Sequence, residues 1–203
     1  MMKVLLTGFE PYWNYNINSS WEVAVELTAR GIQGVDIVVE QIPVRFSSAP
    51  QVLRNAVVKH TPDVVIMLGQ SGGSDRVKLE RVALNVMDAK IPDNEGYTPD
   101  EEQIYRDAPA ALFTNMPLKK LRAAVEEQGV PVKISNSCGL YVCNRLYFEA
   151  LLMCKENSAM KALFVHLPFY EGQPTAKDGK PTMPIDFMIK AIQTIIEEYN
   201  DKN

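Results

Sequence analysis

Three short segments hold side chains that can supply a nucleophile, its base and a group to orient the base: Cys143 in GLYVCNRL, His166 in ALFVHLPF and Glu80 in KLERVALN. A thiol attacks as its thiolate, so a cysteine nucleophile needs a base to take its proton. That base works best when a third group fixes its ring. The three residues lie far apart in sequence, so only a fold can bring them together.

Local context argues for each with unequal force. Cys143 follows an apolar strand and the small-residue stretch SNSCG, near the start of a helix that runs through Leu146 and Leu152. At such a junction the free amides and the positive end of the helix lower a thiol pKa and can bind an anion. The alternative is a buried structural cysteine. Cys154, beside Leu151, Leu152 and Met153, reads as core. Cys138, between Ser137 and Gly139, reads as a small turn residue or a minor redox partner. His166 ends the strand ALFVH at its C-terminal edge, where catalytic groups gather in open α/β sheets. The other histidine, His60 in KHTPD, closes a helix, an ordinary surface position. Glu80 sits in an apolar alternating run, where a carboxylate is either on the solvent face or paired. Local evidence alone favours the solvent face.

Apolar runs of strand length alternate with helical periods, the pattern of a parallel sheet covered by helices on both faces. Buried strands are expected at 2–7, 35–41, 63–68, 130–134 and 162–166. Helices are expected from near Ser19, Ser47, Pro117 and Leu140, and from Pro184 to Tyr199. Ser19 or Ser20 would cap the first, with Trp21, Val25 and Thr28 on one face. Pro184 suits an opening turn because its missing amide costs nothing there. Between Arg76 and Met87 the chain alternates, with Val77, Leu79, Arg81 and Ala83 opposite Lys78, Glu80 and Val82. That reads as an extended strand or hairpin leg. The segments 91–109 and 169–184, rich in Pro, Asp and Gly, read as long loops of the kind that carry function.

With 203 residues, 46% of them hydrophobic, the chain suits a single α/β domain over 1–203, a three-layer α/β/α sandwich of the phosphorylase/hydrolase-like kind. A net charge of -4 with scattered Lys and Arg leaves no basic stripe for nucleic acid. The opening MMKVLLTGF is too short for a signal peptide, and no run is long enough for a membrane span. Three cysteines without metal-ligand spacing point to a reducing, cytoplasmic setting and no metal site.

LLTGFEP, VEQIPV, VIMLGQSGG, ERVALN, IPDNEG, SNSCGLYVCN and FVHLPF, taken in this order, span nearly the whole chain. In them the sequence resembles the type I pyroglutamyl peptidases, or pyrrolidone carboxyl peptidases. The resemblance implies a cysteine exopeptidase that releases an N-terminal pyroglutamate from peptides and needs no cofactor. It implies Cys143 as nucleophile, His166 as general base and acid, and Glu80 as the carboxylate that orients the histidine. It further implies a lactam pocket built from Phe9, Tyr12, Gln70, Ile91, Tyr141 and Val142, and self-association, as a homotetramer.

The chain departs from the family pattern in places. Tyr12, Trp13 and Asn14 stand where a Phe and a Gly pair are common, and Asn18, Ser19 and Ser20 where Asn-Pro-Ser is usual. Lys90 replaces an arginine placed near the oxyanion; it keeps the charge but not the planar two-pronged contact. These departures keep open a non-catalytic relative that binds pyroglutamyl peptides. The sheet pattern and GQSGG keep open a phosphorylase-type transferase, although the spacing of a phosphate-binding loop is missing.

Overall fold

The computed structural model describes residues 1–173 and 179–200. Its first half winds β1 (Met2–Phe9), α1 (Ser19–Arg30), β2 (Val35–Ile42), α2 (Ala49–His60) and β3 (Val64–Gln70). Three short strands follow, β4 (Val77–Glu80), β5 (Val82–Leu84) and β6 (Val86–Met87), then β7 (Glu102–Gln103) and β8 (Ala111–Phe113). The chain ends with α3 (Leu118–Glu127), β9 (Val132–Ser135), α4 (Val142–Glu156), β10 (Lys161–Leu167), β11 (Phe169–Tyr170), β12 (Thr182–Met183) and α5 (Ile185–Asn200).

The central sheet has the order β2-β1-β3-β10-β4-β9, and only β4 against β10 is antiparallel. A parallel return needs a crossover of a dozen or more residues. The connection 71–76 is too short for one, so β4 runs in reverse.

Alternation along the strands divides the core. Leu163, Val165 and Leu167 of β10 pack with Val23 and Leu27 of α1, Leu121 and Val125 of α3, and Ile192 and Ile195 of α5. Ala162 and Phe164 point the other way, into a cluster with Leu53 of α2 and Leu146, Tyr147 and Leu151 of α4. The result is three layers, α1, α3 and α5 on one face and α2 and α4 on the other. His166, by the same period, belongs to the α2/α4 face.

Several local expectations are corrected. Asn18, not Ser19 or Ser20, caps α1; its Oδ1 accepts from the Ser20 amide at 3.1 Å and the Ser20 hydroxyl at 2.7 Å. The Ser20 hydroxyl is itself spent on the Phe9 amide at 3.0 Å. The buried stripe of α1 is Val23, Ala24 and Leu27, whereas Val25 is exposed, because those three face the sheet. β3 runs two residues beyond its expected end and carries Gln70 on its tip. The alternating segment 76–87 is three strands: β4 in the main sheet, and β5 and β6 paired antiparallel with β8 and β7. The 91–109 loop therefore contains β7. The 169–184 loop is bounded by β11 and β12, which pair in parallel, and its residues 174–178 lie outside the described residues.

One carboxylate ties α4 to its surroundings. Glu149, fully buried, accepts from the Tyr105 hydroxyl at 2.6 Å, from Arg145 at 2.7 Å and from Arg54 of α2. Burial alone would raise its pKa, but the bonds from Tyr105 and Arg145 and the two arginine charges hold it below the usual carboxylate range. Its stabilisation is therefore complete above the unfolded pKa and is lost as pH falls through the lower folded value. Glu149→Gln should cost on the order of 2 kcal/mol at pH 7. In chemical denaturation at a series of pH values, that gap should close on acidification below the ordinary Glu range.

Candidate active site

The register of β4 against β10 builds the first pair of the site. His166 lies opposite Lys78, so Glu80 sits two residues along on the same face, within diagonal reach. His166 Nδ1 and Glu80 Oε1 are 2.8 Å apart. Glu80 has no exposed surface, and its Oε2 has no hydrogen-bond partner in the structure. A carboxylate accepts, so Nδ1 carries the proton and Nε2 is left as the acceptor. The solvent-face reading of Glu80 does not hold, because the register puts Glu80 on the face that α2 and α4 cover, beside Phe164 and His166. Tyr147 of α4 donates to the Glu80 carbonyl at 2.9 Å.

The imidazole rests on Phe164, ring centroids 4.8 Å apart. Gly69 of β3 stands opposite His166 in register. A Cβ at Gly69 would come within 2.7 Å of the Phe164 ring and 3.1 Å of His166 Cδ2. Only a residue without a side chain lets both rings lie where they do.

Cys143 is the second residue of α4, after the extended Tyr141 at the cap position. Amides of a first turn lack the regular intrahelical partner; that of Asn144 turns back to the Tyr141 carbonyl at 3.0 Å, so those of Val142 and Cys143 are the ones available to a developing oxyanion. Asn144 beside it is fully buried. Its side chain accepts from the Leu84 amide at 2.8 Å and donates to the Leu84 and Val86 carbonyls, each at 2.9 Å. That clamp fixes the helix start to β5 and β6. A buried Asn directly after the cysteine was its only trace in the sequence.

The electrostatics of the thiol differ from expectation. Burial pushes the Cys143 pKa up to about 12, the Glu80 charge adds to the rise, and only the residue's own amide pulls it down. Desolvation of a thiolate outweighs the helix start here. Burial therefore disfavours a resting thiolate, and attack by this thiol would call for a base beside it.

Cys143 and His166 line one cavity of about 180 Å³. Phe9, Tyr12, Gln70, Tyr141 and Val142 join them there, as the resemblance implied. Asn18, Val44 and Cys138 also line it and were not anticipated. Cys138 is a buried wall residue more than a turn residue, its thiol 3.5 Å from Asn144 Oδ1. Ile91 and Lys90 are not brought to the wall. Lys90 is exposed, and on that side the ring of Tyr141 forms the wall, its hydroxyl donating to Pro92 O at 2.9 Å. Cys154 is core and His60 ends α2, as expected.

Gln70 has a defined polarity. The Ser19 amide, which can only donate, lies 2.9 Å from one end of its side chain, so that end is Oε1. Oε1 also accepts from Gln173 Nε2 at 2.7 Å. Nε2 of Gln70 is buried without a hydrogen-bond partner; the Tyr12 hydroxyl feels its positive end, but burial dominates and raises that phenol's pKa. The cavity thus offers a buried amide donor. No Asp, Glu, Lys or Arg lines it. Among the described residues no group of three or more His, Cys, Asp or Glu could hold a metal ion, and no helix is long and apolar enough to cross a membrane.

A family model described as pyroglutamyl peptidase matches residues 2–201. The pyrrolidone-carboxylate peptidase of Thermococcus kodakarensis is 43% identical over 197 residues, covering 97% of this chain and 95% of the relative. That of Bacillus subtilis is 40% identical over 192 residues, covering 94% and 89%. The crystal structure of Bacillus amyloliquefaciens pyroglutamyl peptidase I superposes with a TM-score of 0.91 at 36% identity, covering 96% of this chain and 95% of that one. A variant pyrrolidone carboxyl peptidase from Pyrococcus furiosus gives 0.93 at 34% identity, with 99% of each chain covered. With Cys143 and His166 at one small neutral cavity, Glu80 paired to the far side of the imidazole, and relatives matched over nearly their whole length, this chain belongs to the pyroglutamyl peptidase family.

Proposed function

We propose that this protein hydrolyses the bond after an N-terminal pyroglutamate, with Cys143, His166 and Glu80 as its catalytic triad. The observation that carries the reading is the buried 2.8 Å contact between His166 Nδ1 and Glu80 Oε1 at the wall of the cavity that also holds Cys143. It leaves Nε2 as the base. As Sγ of Cys143 attacks the pyroglutamyl carbonyl, its proton passes to Nε2. First-turn amides of α4 take the charge on the carbonyl oxygen. Nε2 then returns the proton to the leaving amine, and the C–N bond breaks to give a thioester and the shortened peptide. Water, deprotonated by the same nitrogen, adds to the thioester and releases pyroglutamate, restoring the thiol. Glu80 holds the tautomer and stabilises the imidazolium in each half of the cycle.

The cavity supports the substrate class. Its volume, about 180 Å³, suits a small ring, and Phe9, Tyr12 and Tyr141 offer flat apolar surface. An ordinary peptide would bring a charged ammonium to a wall with no carboxylate, whereas a lactam is neutral. Gln70 Nε2, the unspent donor, suits the ring carbonyl. We further propose that the chain acts as one domain, in a homo-oligomer of four, and in the cytoplasm. The free thiols of Cys138, Cys143 and Cys154 support a reducing compartment.

Turnover of a pyroglutamyl chromogenic amide tests the reading. Cys143→Ala and His166→Ala should each abolish it, and full activity in the Cys143 variant would refute the mechanism. Glu80→Gln should leave a measurable rate on the order of 10²–10⁴-fold below the parent. Gly69→Ala should lower kcat about 10–100-fold through displacement of His166, with KM little changed.

Iodoacetamide should label Cys143 ahead of Cys154, by mass spectrometry of the native protein. With a thiol pKa raised to about 12 by burial, thiolate accumulates only as pH rises. Labelling of Cys143 in His166→Ala should therefore climb through pH 10, while the parent, whose base takes the proton, levels off earlier.

A further inference from the structure

Gln70 can recognise a lactam in two ways, because rotating a primary amide by half a turn exchanges donor and acceptor without changing its shape. What stands behind it decides which end faces the cavity. Two donors meet at its Oε1: the Ser19 amide at 2.9 Å, and Nε2 of Gln173 at 2.7 Å. Gln173 is only 2% exposed and lies 103 residues away in sequence, just after β11. Its own orientation is determined in the same manner. The Tyr170 amide, which can only donate, reaches its Oε1 at 3.2 Å, so the end toward Gln70 is the NH₂. That NH₂ also donates to the Ile17 carbonyl at 3.4 Å. Every group in this chain of amides is directed except Gln70 Nε2, which is buried at the cavity with the Tyr12 hydroxyl nearby but no hydrogen bond of normal length.

We propose that Gln173 is a positioning residue for substrate specificity: by donating to Gln70 Oε1 it holds the Gln70 amide with its donor toward the cavity, where it selects a ring bearing a carbonyl. A flipped Gln70 would set NH₂ against two donors and present an oxygen to the ring carbonyl. The site would then lose its hydrogen bond to the ring carbonyl, the feature that pyroglutamyl has where prolyl has a methylene, and only the charge-free wall would still disfavour prolyl. Sites built to hydrogen-bond a polar group reject analogues that lack it. The inference rests on the peptidase reading above, and adds that recognition of the ring is set by Gln173, just after β11, as well as by the strand that carries Gln70.

Two variants test it. Gln173→Glu replaces the donor by an acceptor facing Gln70 Oε1, and Gln173→Met keeps the length but removes the donor. The measurements are kcat and KM for a pyroglutamyl chromogenic amide, the protection that 2-pyrrolidone gives Cys143 against iodoacetamide, the unprotected labelling rate, and thermal unfolding. Gln173→Glu should raise KM and the 2-pyrrolidone concentration for half-protection by about 30-fold or more, and Gln173→Met by about 3–10-fold, with the unprotected labelling rate within about twofold of the parent. Unchanged KM and protection in both variants would overturn the proposal. So would a fall in the unprotected labelling rate that parallels the loss of lactam affinity, since that marks Gln173 as scaffold alone. If the Glu variant does not fold, the Met variant decides on the same criteria. A parent protein that turns over no pyroglutamyl amide would sink the peptidase reading instead, while protection by 2-pyrrolidone would still report on Gln173.

Discussion

A buried carboxylate with one oxygen against an imidazole is the interaction on which the site depends. Glu80 has no exposed surface, and its second oxygen has no hydrogen-bond partner in the structure. Such a group is costly to bury, and pairing with His166 Nδ1 offsets that cost. The pairing exists because β4 runs against β10, which puts Glu80 and His166 on one face in diagonal register. The short connection after β3 imposes that reversal. A loop length thus sets which imidazole nitrogen meets the carboxylate, and leaves the other for the cavity.

The rest of the site is held by polar groups that spend their hydrogen bonds on one another and on backbone. Asn144 clamps the start of α4 to β5 and β6, Tyr147 ties the same helix to the end of β4, and Ser19 and Gln173 direct Gln70. What they leave unspent lies at the cavity: Nε2 of His166, the thiol of Cys143, the amides of Val142 and Cys143, and Nε2 of Gln70. A neutral wall with one directed donor suits a neutral ring with one acceptor. The raised pKa of Cys143 belongs to the same design, since dryness that favours the ring also disfavours a resting thiolate. Attack by such a thiol calls for a base in contact with the cavity, and His166 is the histidine that lines it.

Much of the fold was legible from periodicity. The strands at β1, β2, β3, β9 and β10 and the five helices lie within a few residues of their expected places, because buried parallel strands read as apolar runs and amphipathic helices as a 3.6-residue period. The small strands β5 to β8 were not separable, since two or three residues carry no period. The cap of α1 was misplaced because Asn18, Ser19 and Ser20 are all good caps, and only the engagement of the Ser20 hydroxyl with the Phe9 amide and of the Ser19 hydroxyl with the Pro168 carbonyl leaves the role to Asn18. Likewise Trp21, Val25 and Thr28 do share a helical face, but the sheet lies against Val23, Ala24 and Leu27.

By itself the sequence determined the family, through seven motifs in order, and with it the residue types that the chemistry requires. It singled out His166 by its strand-end position, Cys143 by its place at a helix start, and most of the pocket wall through the motifs. Tertiary structure alone decided that Glu80 is buried and paired, that Tyr141 and not Ile91 or Lys90 closes the wall on its side, that Cys138 and Val44 join the wall, and that Gln70 presents a donor. The division has a physical cause. Burial period and motif are local properties written along one segment, whereas the protonation of a buried group and the direction of an amide depend on partners from distant segments. Gln173 stands 103 residues from the amide it directs, and Glu80 stands 86 from the ring it holds.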